Sequence, residues 1–209
     1  MTSGRREGRG RRRAGIAARL FAAMALSGLV AACASIAGPT PIDTFDLTAP
    51  VVVTPARGRT LQVLVPEPVV DRAYDGDRLL VRPSATEIAY FAGAQWSDRL
   101  PRLIQSRLVE ALEKSGRFHA VGRPGQGLAI DRQMIVDIRA FDYLVAERRV
   151  EVALSVKTMD DRNGRVLTVR EHRAEAPVAG DTAKDVVLAF DAAFGRVLAL
   201  PAFRASLAG

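Results

Sequence analysis

The first 32 residues indicate which part of the chain can form the folded domain. Seven arginines lie among residues 5–19, and an apolar stretch follows from Leu20 to Val30. A basic head, a short apolar core and small residues before a cleavage point are typical of a secretory signal peptide, which is removed. A membrane-spanning helix would need about 20 apolar residues, more than this stretch provides. We therefore expect the folded protein within residues 33–209, enough for one domain with a substantial core.

Cys33 is the only cysteine and directly follows Ala31 and Ala32. The run Leu29–Cys33 resembles the lipobox of bacterial lipoproteins, in which the thiol receives a diacylglycerol group before cleavage. The alternative is an ordinary buried thiol, which packs as a small hydrophobe. A single cysteine in an exported chain cannot form an internal disulfide, and acylation explains it better. The N-acyl diacylglycerol group on Cys33 is the only non-protein group we expect; no cofactor or metal is predicted.

The positive charge of the chain belongs almost entirely to the leader. The first 32 residues hold seven arginines and one glutamate, so they carry six of the seven net positive charges. The remainder is nearly neutral and gives no reason to expect nucleic acid as a partner. Ala34 follows the cysteine, whereas an aspartate there favours inner-membrane retention in enterobacterial lipoproteins. We expect an anchor at the periplasmic face of the outer membrane.

The sequence divides into three segments. Residues 1–32 form the predicted lipoprotein signal peptide, and residues 33–41 form a lipidated tether that contains Gly38-Pro39-Thr40-Pro41. Residues 42–209 form the predicted folded domain. Alternating or short apolar runs predict strands at residues 42–47, 61–65, 79–82, 87–91 and 118–121, with a loop at 71–77.

The second half of the domain begins with three long strands. Met134, Val136 and Ile138 share one face, and Phe141 and Tyr143 then continue at odd positions, which predicts a bulge near Ala140. Residues 150–157 alternate as a strand with one buried face. The Asn163-Gly164 pair predicts a hairpin turn, with the chain returning at residues 166–169.

Two amphipathic helices complete the predicted fold. Trp96, Leu100, Leu103 and Leu108 fall on one face of the first helix, with Asp98 as its N-cap, Pro101 in the first turn and Gly116 at its end. The second helix is predicted from Thr182 to Leu200, with Asp181 as cap and Pro201 as stop signal. The expected class is α+β: one mostly antiparallel sheet of six to eight strands with both helices on one face.

The residues offer little for catalysis. His119 and His172 are the only histidines, and we interpret both as surface or hairpin-end residues. They lie far apart in sequence with no second cysteine, so no zinc motif is present, and no nucleophile elbow occurs. The acidic cluster Asp71, Asp75 and Asp77 lacks the closing glutamate of a calcium loop. We predict a protein that is not an enzyme.

The segment from Tyr90 to Gln105 carries a family resemblance. The run Tyr90-Phe91-Ala92-Gly93-Ala94-Gln95-Trp96-Ser97-Asp98-Arg99-Leu100-Pro101-Arg102 is similar to the signature of the ABC-type transport auxiliary lipoproteins. These include the lipoprotein of the paraquat-inducible intermembrane transport system. Similar pieces occur in the same order elsewhere, including a Phe45-x-Leu47 strand after Cys33 and Ser115-Gly116-Arg117-Phe118 after the first helix.

The resemblance implies an accessory role without catalysis. Relatives of this kind serve transporters built from an MCE-domain protein, a permease and an ATPase, which move phospholipid or other hydrophobic molecules between the two membranes. The implied partner is the MCE-domain protein, with a homo-oligomer as a further expectation. The candidate partner-binding residues are Tyr90, Phe91, Trp96, Arg99 and Arg102, although Trp96 also fits a core position. A lipid-binding carrier lipoprotein and a structural envelope lipoprotein are the alternatives, with an envelope hydrolase less favoured.

Overall fold

A computed structural model describes residues 41–49 and 61–206 of the protein, with side chains to Phe203. The predicted signal peptide, Cys33 and most of the predicted tether lie outside these residues. Eight strands form one sheet. They are β1 (Asp43–Phe45), β2 (Gln62–Leu64), β3 (Arg78–Ser84), β4 (Glu87–Trp96), β5 (Ala120–Gly122), β6 (Arg132–Leu144), β7 (Arg149–Asp160) and β8 (Val166–Pro177).

The sheet is mixed, and its long pairings are antiparallel. β6, β7 and β8 form an antiparallel meander, and β3 and β4 form a hairpin. Four short pairings are parallel: β1 with β4, β2 with β5, and both β2 and β3 with β6. β2 lies beside the start of β6 and β3 beside its end, while Val69 bridges to Asp137 between them. The α+β prediction with six to eight strands is confirmed, and the parallel contacts add a feature that alternation alone does not reveal.

Three helices accompany the sheet: α1 (Leu100–Ser115), α2 (Ala183–Ala199) and the short α3 (Pro201–Ser206). α1 carries Pro101 in its first turn and ends at Gly116, whose φ of 65° is left-handed, as predicted. α2 begins with a capping box, because Thr182 accepts from the Asp185 N–H while the Asp185 carboxylate accepts from the Thr182 N–H. Both long helices contribute their apolar stripes to one core.

Trp96 lies at the centre of this core. Its ring meets Phe141 of β6 and Phe190 of α2 edge-on, with centroids 5.8 and 5.5 Å away, and these two phenylalanines stack on each other at 4.6 Å. Edge-on ring contacts are favourable because the positive edge of one ring meets the negative face of the other. Trp96 therefore joins β4, β6 and α2, and its side chain is only 1% exposed.

Several local predictions need correction. Trp96 is the last residue of β4 and not part of a helix. The strand continues past residue 91, where the sequence predicts its end, and passes through Gly93, whose φ of 69° is left-handed. Arg99, not Asp98, is the N-cap of α1, and it makes no side-chain cap. Asp181 is not the cap of α2 either; its carboxylate binds Arg148, and Thr182 takes the cap position.

Other boundaries also move. β8 extends well past residue 169, because its charged second half keeps pairing with β7 up to Pro177. β5 starts at Ala120, two residues later than the predicted run. Pro201 ends α2 but also opens α3, since proline is tolerated in a first turn. The bulge near Ala140 is confirmed by a register shift between Ile138 and Ala140.

Candidate functional site

The signature segment runs from β4 across a short connection into α1. Tyr90 is half-buried; its hydroxyl donates to the Ala73 carbonyl at 3.2 Å, and the Arg78 guanidinium lies 3.6 Å above its ring. Phe91 is also half-buried and packs against the core. The Tyr90 side chain therefore helps to hold the segment before β3 in place, and only part of each aromatic ring is open to a partner.

Arg99 and Arg102 are the exposed members of the predicted set. Arg99 reaches the carboxylate of Glu67 at 3.2 Å and also binds Asp75, so it joins the start of α1 to the loop before β3. Arg102 is more than half exposed, and its Nε lies 3.9 Å from Asp98. Exposed ion pairs of this kind contribute little to stability, because solvent screens them. Arg102 is therefore the predicted residue whose charge is most available to another protein.

A buried polar cluster that no sequence motif signals joins Tyr74, Arg82 and Asp142. Tyr74 donates a 2.9 Å hydrogen bond to Asp142 Oδ1, while Arg82 Nε lies 2.9 Å from Asp142 Oδ2. Arg82 Nη2 also approaches the Tyr74 hydroxyl at 3.4 Å. Burial raises the pKa of Tyr74 to about 12, so its hydroxyl remains a donor at neutral pH. Tyr74 and Arg82 satisfy the buried Asp142 carboxylate, and the Tyr74 contact holds the 71–77 loop against β6.

His172 departs from its predicted surface position. It lies on the core side of β8, is only 2% exposed, and its ring meets Phe203 of α3 edge-on at 5.3 Å. Its Nε2 atom has no hydrogen-bond partner in the described part of the chain. Burial, and secondarily Arg170, lowers the pKa of His172, so the ring is neutral at physiological pH. His119, in contrast, is exposed as predicted.

The described residues do not bring these groups into a catalytic arrangement. His172 faces an aromatic ring, not a nucleophile, and within residues 41–49 and 61–206 no three His, Cys, Asp or Glu side chains cluster as metal ligands. The same residues contain no helix long and apolar enough to cross a membrane.

Two shallow clefts lie at the surface. The first, about 250 Å³, opens between the β3–β4 turn and the β6–β7 turn. The second, about 200 Å³, lies between the end of β8 and α2, with Ala176, Ala189 and Ala192 in its lining and Leu188 58% exposed. Small-molecule pockets usually measure about 300–1,000 Å³, so both clefts are modest.

β8 presents a long edge. Among the described strands it pairs with β7 alone. Val166 and Val169 are exposed near its beginning, and charged residues occupy its middle, where Arg173 bridges Glu151 and Glu171. The Arg196 side chain from α2 donates to the Glu175 carbonyl near its end. Charged side chains at an edge oppose unplanned pairing with other strands.

The comparison with known families decides the identity of this fold. Residues 44–199, which include every strand except the first residue of β1, match the model of the ABC-type transport auxiliary lipoprotein component. The chain belongs to this family. The match contains the Tyr90–Gln105 signature, so the resemblance read from the sequence is confirmed, and the protein is an auxiliary lipoprotein by family.

Similar proteins agree with this assignment. An uncharacterized protein of Bradyrhizobium diazoefficiens is 32% identical over 178 residues, which is 82% of this chain and 48% of that protein. The chain thus spans about half the length of this curated relative. The crystal structure of a Xanthomonas campestris protein of the DUF330 family is similar with a TM-score of 0.67 and 26% identity, covering 75% of this chain and 90% of that one. A second solved structure, of an uncharacterized protein, has a TM-score of 0.59 at 12% identity, covers 80% of this chain and 98% of that one, and shows the fold alone.

Proposed function

We propose that this auxiliary lipoprotein is anchored at the periplasmic face of the outer membrane and docks the distal end of an MCE-type intermembrane lipid transporter. The observation that carries the proposal is the match of residues 44–199, which include the sheet and both long helices, to a family of auxiliary lipoproteins of ABC-type transport. The role is one of assembly, not catalysis.

The anchor in this proposal is Cys33. Its thiol carries diacylglycerol and its amino group a third acyl chain, and each buried methylene contributes about 0.8 kcal/mol to membrane binding. Several chains together hold a protein firmly without a spanning helix. Ala34 directs the mature protein to the outer membrane if its host sorts lipoproteins by the residue after the cysteine.

The partner-binding surface in this proposal combines the β8 edge with nearby apolar side chains. An edge strand offers unpaired backbone groups to an added strand, and flanking side chains set the specificity. Val169 is 58% exposed beside this edge. Arg102 is a second contact, because its charge is only weakly engaged with Asp98. A homo-oligomer assembled through the same surfaces is compatible with this role.

The lipid-carrier alternative requires an apolar cavity of several hundred Å³. In the described part of the chain, the space between β6 and α2 is filled by Trp96, Phe141 and Phe190. This filled interior favours docking over carriage. A structural lipoprotein that binds peptidoglycan would instead co-sediment with purified sacculi.

The test compares the assembly of the transporter and the integrity of the envelope in three strains. One strain has the native protein, one lacks it, and one carries Cys33→Ala. We expect the MCE-domain protein to co-fractionate with the outer membrane only in the first strain, and the envelope to leak in the other two. Full assembly and an intact envelope in the strain that lacks the protein would contradict the proposal.

A further inference from the structure

The backbone direction of β8 decides which of its residues face the free edge of the sheet. Val178, one residue beyond the strand, donates its N–H to the Arg148 carbonyl on the side of β7 at 2.8 Å. From there back to Thr168, β8 pairs with β7 without a register shift. Successive residues of a strand direct their N–H and C=O groups to opposite sides, so the even-numbered residues bond β7. The odd-numbered residues face the free edge: Val169, Glu171, Arg173 and Glu175.

Arg196 closes one end of this edge. Its guanidinium donates to the Glu175 carbonyl, as expected for a carbonyl that points away from β7, and it occupies the place that an added strand would need. At the other end, the pairing with β7 shifts register before Thr168. The stretch between, residues 168–174, is called the open edge below. Its edge-facing residues offer three N–H and three C=O groups, which an extended segment of about five residues would satisfy.

The second half of the open edge carries charges that the chain itself already satisfies. Arg173 bridges Glu151 on β7 and Glu171 on its own strand. Such charged side chains oppose pairing with an arbitrary strand. This half therefore contributes backbone groups to a partner, but its charges are committed within the chain.

The first half combines an exposed apolar side chain with two cations. Val169 is 58% exposed. Lys157 lies opposite it on β7, and the exposed Arg170 follows it on β8. Neither cation forms an ion pair with another residue that the structure describes. Both positive charges are therefore available to a partner that binds along this half of the edge.

The acidic side chains of the hairpin that joins β7 to β8 do not neutralise these cations. Asp160 Oδ1 accepts from Arg162 N at 3.0 Å, within the hairpin. Asp161 Oδ1 accepts from Gln133 Nε2 on β6 at 2.5 Å. β6 lies on the far side of β7 from the open edge, so Asp161 is directed away from it.

An added antiparallel strand would place its side chains alternately on the two faces of the sheet. The residue opposite Val169 would share the face of Val169, and the next residue would share the face of Arg170. Directly opposite residues of an antiparallel pair have Cβ atoms about 5 Å apart, close enough for apolar contact or an ion pair. An apolar residue therefore matches Val169, and a carboxylate one position away matches Arg170.

We propose that the open edge of β8 binds an extended acidic segment of a partner protein as an added antiparallel strand. Apolar side chains of that segment lie against Val169, and alternating carboxylates lie against Arg170. This inference rests on the proposed function, which uses the β8 edge for partner binding, and it names the chemistry of the segment that binds there. A second copy of β8 fits less well, because its even-numbered residues from 168 to 176, which would share the face of Arg170, include no carboxylate.

The test measures the binding of fluorescein-labelled peptides to the full lipidated protein in phosphatidylcholine nanodiscs by fluorescence anisotropy. The probe is the peptide Ser-Val-Glu-Val-Glu-Val-Ser. One control replaces both glutamates with lysine, and the other carries N-methyl groups on the valines, which keeps the side chains but removes the N–H donors that would face β8. We expect saturable binding of the probe and binding weaker by about tenfold for each control. No saturable binding of the probe, or equal binding of the N-methylated peptide, would overturn the proposal.

Two pairs of protein variants test the edge itself. Val169→Pro removes an N–H that faces the free edge and leaves the ladder with β7 intact, because proline is tolerated on edge strands. It should weaken binding of the probe by about tenfold with an unchanged circular dichroism spectrum, whereas Val169→Ala, which keeps the N–H, should weaken it less. Arg170→Glu should weaken binding by about fivefold, and Lys184→Glu on α2, with the same change in net charge, should leave it unchanged. Equal effects within either pair would overturn the proposal.

Two outcomes separate this inference from the proposed function. Recovery of the transporter at the native level with the Val169→Pro protein would overturn this inference and leave the docking role intact. Binding of the probe with the expected dependence on Val169 and Arg170, but no MCE-domain protein in a crosslinked purification, would support the edge site and refute docking to that transporter. A dimer of the native protein in analytical ultracentrifugation that Val169→Pro dissociates would assign the edge to a second copy and overturn the proposal.

Discussion

The Asp191 carboxylate on α2 receives the segment that follows β1: Thr48 donates to its Oδ1 from the backbone N at 2.6 Å and to its Oδ2 from the side-chain hydroxyl at 2.8 Å. Between this contact and β1, Leu47 is buried and Asp46 binds Arg107 on α1. The first described residues are thus fastened to β4, α1 and α2.

This attachment predicts the effect of Asp191→Ala. Loss of the two Thr48 hydrogen bonds should lower the free energy of unfolding by about 1 kcal/mol, because the site is exposed but the acceptor is charged. Hydrogen exchange of residues 43–49 should accelerate while β7 stays protected. Glu113→Ala, on the exposed face of α1, is the control and should change neither. Unchanged exchange in the Asp191 variant would show that β1 pairing alone holds the segment.

The aromatic centre predicts a large effect of Trp96→Ala. Removing a fully buried indole leaves a cavity beside the stacked rings of Phe141 and Phe190, which should cost about 3–5 kcal/mol. Chemical denaturation monitored by circular dichroism measures this loss. The control is Leu188→Ala, at an exposed position on α2, which should lie within about 0.5 kcal/mol of the native protein. A loss at position 96 no larger than the control would contradict the packing described for Trp96.

The Tyr74–Asp142 contact predicts a stability change at high pH. The folded pKa of Tyr74 is raised to about 12 from an ordinary value of 10.0, so the protonated hydroxyl is favoured by folding. Its stabilising contribution is complete below pH 10 and is lost as the pH rises from 10 toward 12. Tyr74→Phe should remove this pH dependence and cost about 1–3 kcal/mol at neutral pH, because Asp142 loses a donor.

Tyrosinate absorbance measured against pH tests that prediction. The chain has three tyrosines, so the difference between the native protein and Tyr74→Phe isolates one titration. Tyr90→Phe serves as the matched control. A Tyr74 titration near pH 10 would contradict its burial against Asp142.

His172 predicts a change on the acidic side. Its folded pKa lies below the ordinary value of 6.5, so folding favours the neutral ring. The stability that this preference contributes is present above pH 6.5 and is lost as the pH falls below it. His172→Leu should flatten the dependence of urea unfolding on pH in this range, whereas the exposed control His119→Gln should preserve it. Equal slopes for the native protein and His172→Leu would contradict the prediction.

Much of the fold follows from the sequence because periodicity and turn residues act locally. Gly116, Pro101 and the Asn163-Gly164 turn sit where their backbone preferences require. The bulge near Ala140 was visible as a change of phase. The spacing from Trp96 to Leu100 predicts a helical face, but it fits equally well a strand that ends just before a helix, which is what the structure has.

The candidate site was less predictable because it depends on contacts between distant segments. Asp142 occupies the outward phase of β6, so alternation predicts a solvent-exposed side chain. Contacts with Tyr74 and Arg82, both far away in sequence, cover it instead. His172 lies in a run of charged residues, which predicts a surface position, but Phe203 of α3 packs against its ring. The 250 Å³ cleft likewise forms between two turns that the sequence does not show to be neighbours.

A crosslinked purification of the native, lipidated protein from its own membranes, followed by mass spectrometry of proteins and lipids, tests the docking role. We expect recovery of an MCE-domain protein together with its permease or ATPase, and their loss with the Cys33→Ala variant. Recovery of bound lipid without any transporter component would contradict the docking role and favour the carrier alternative.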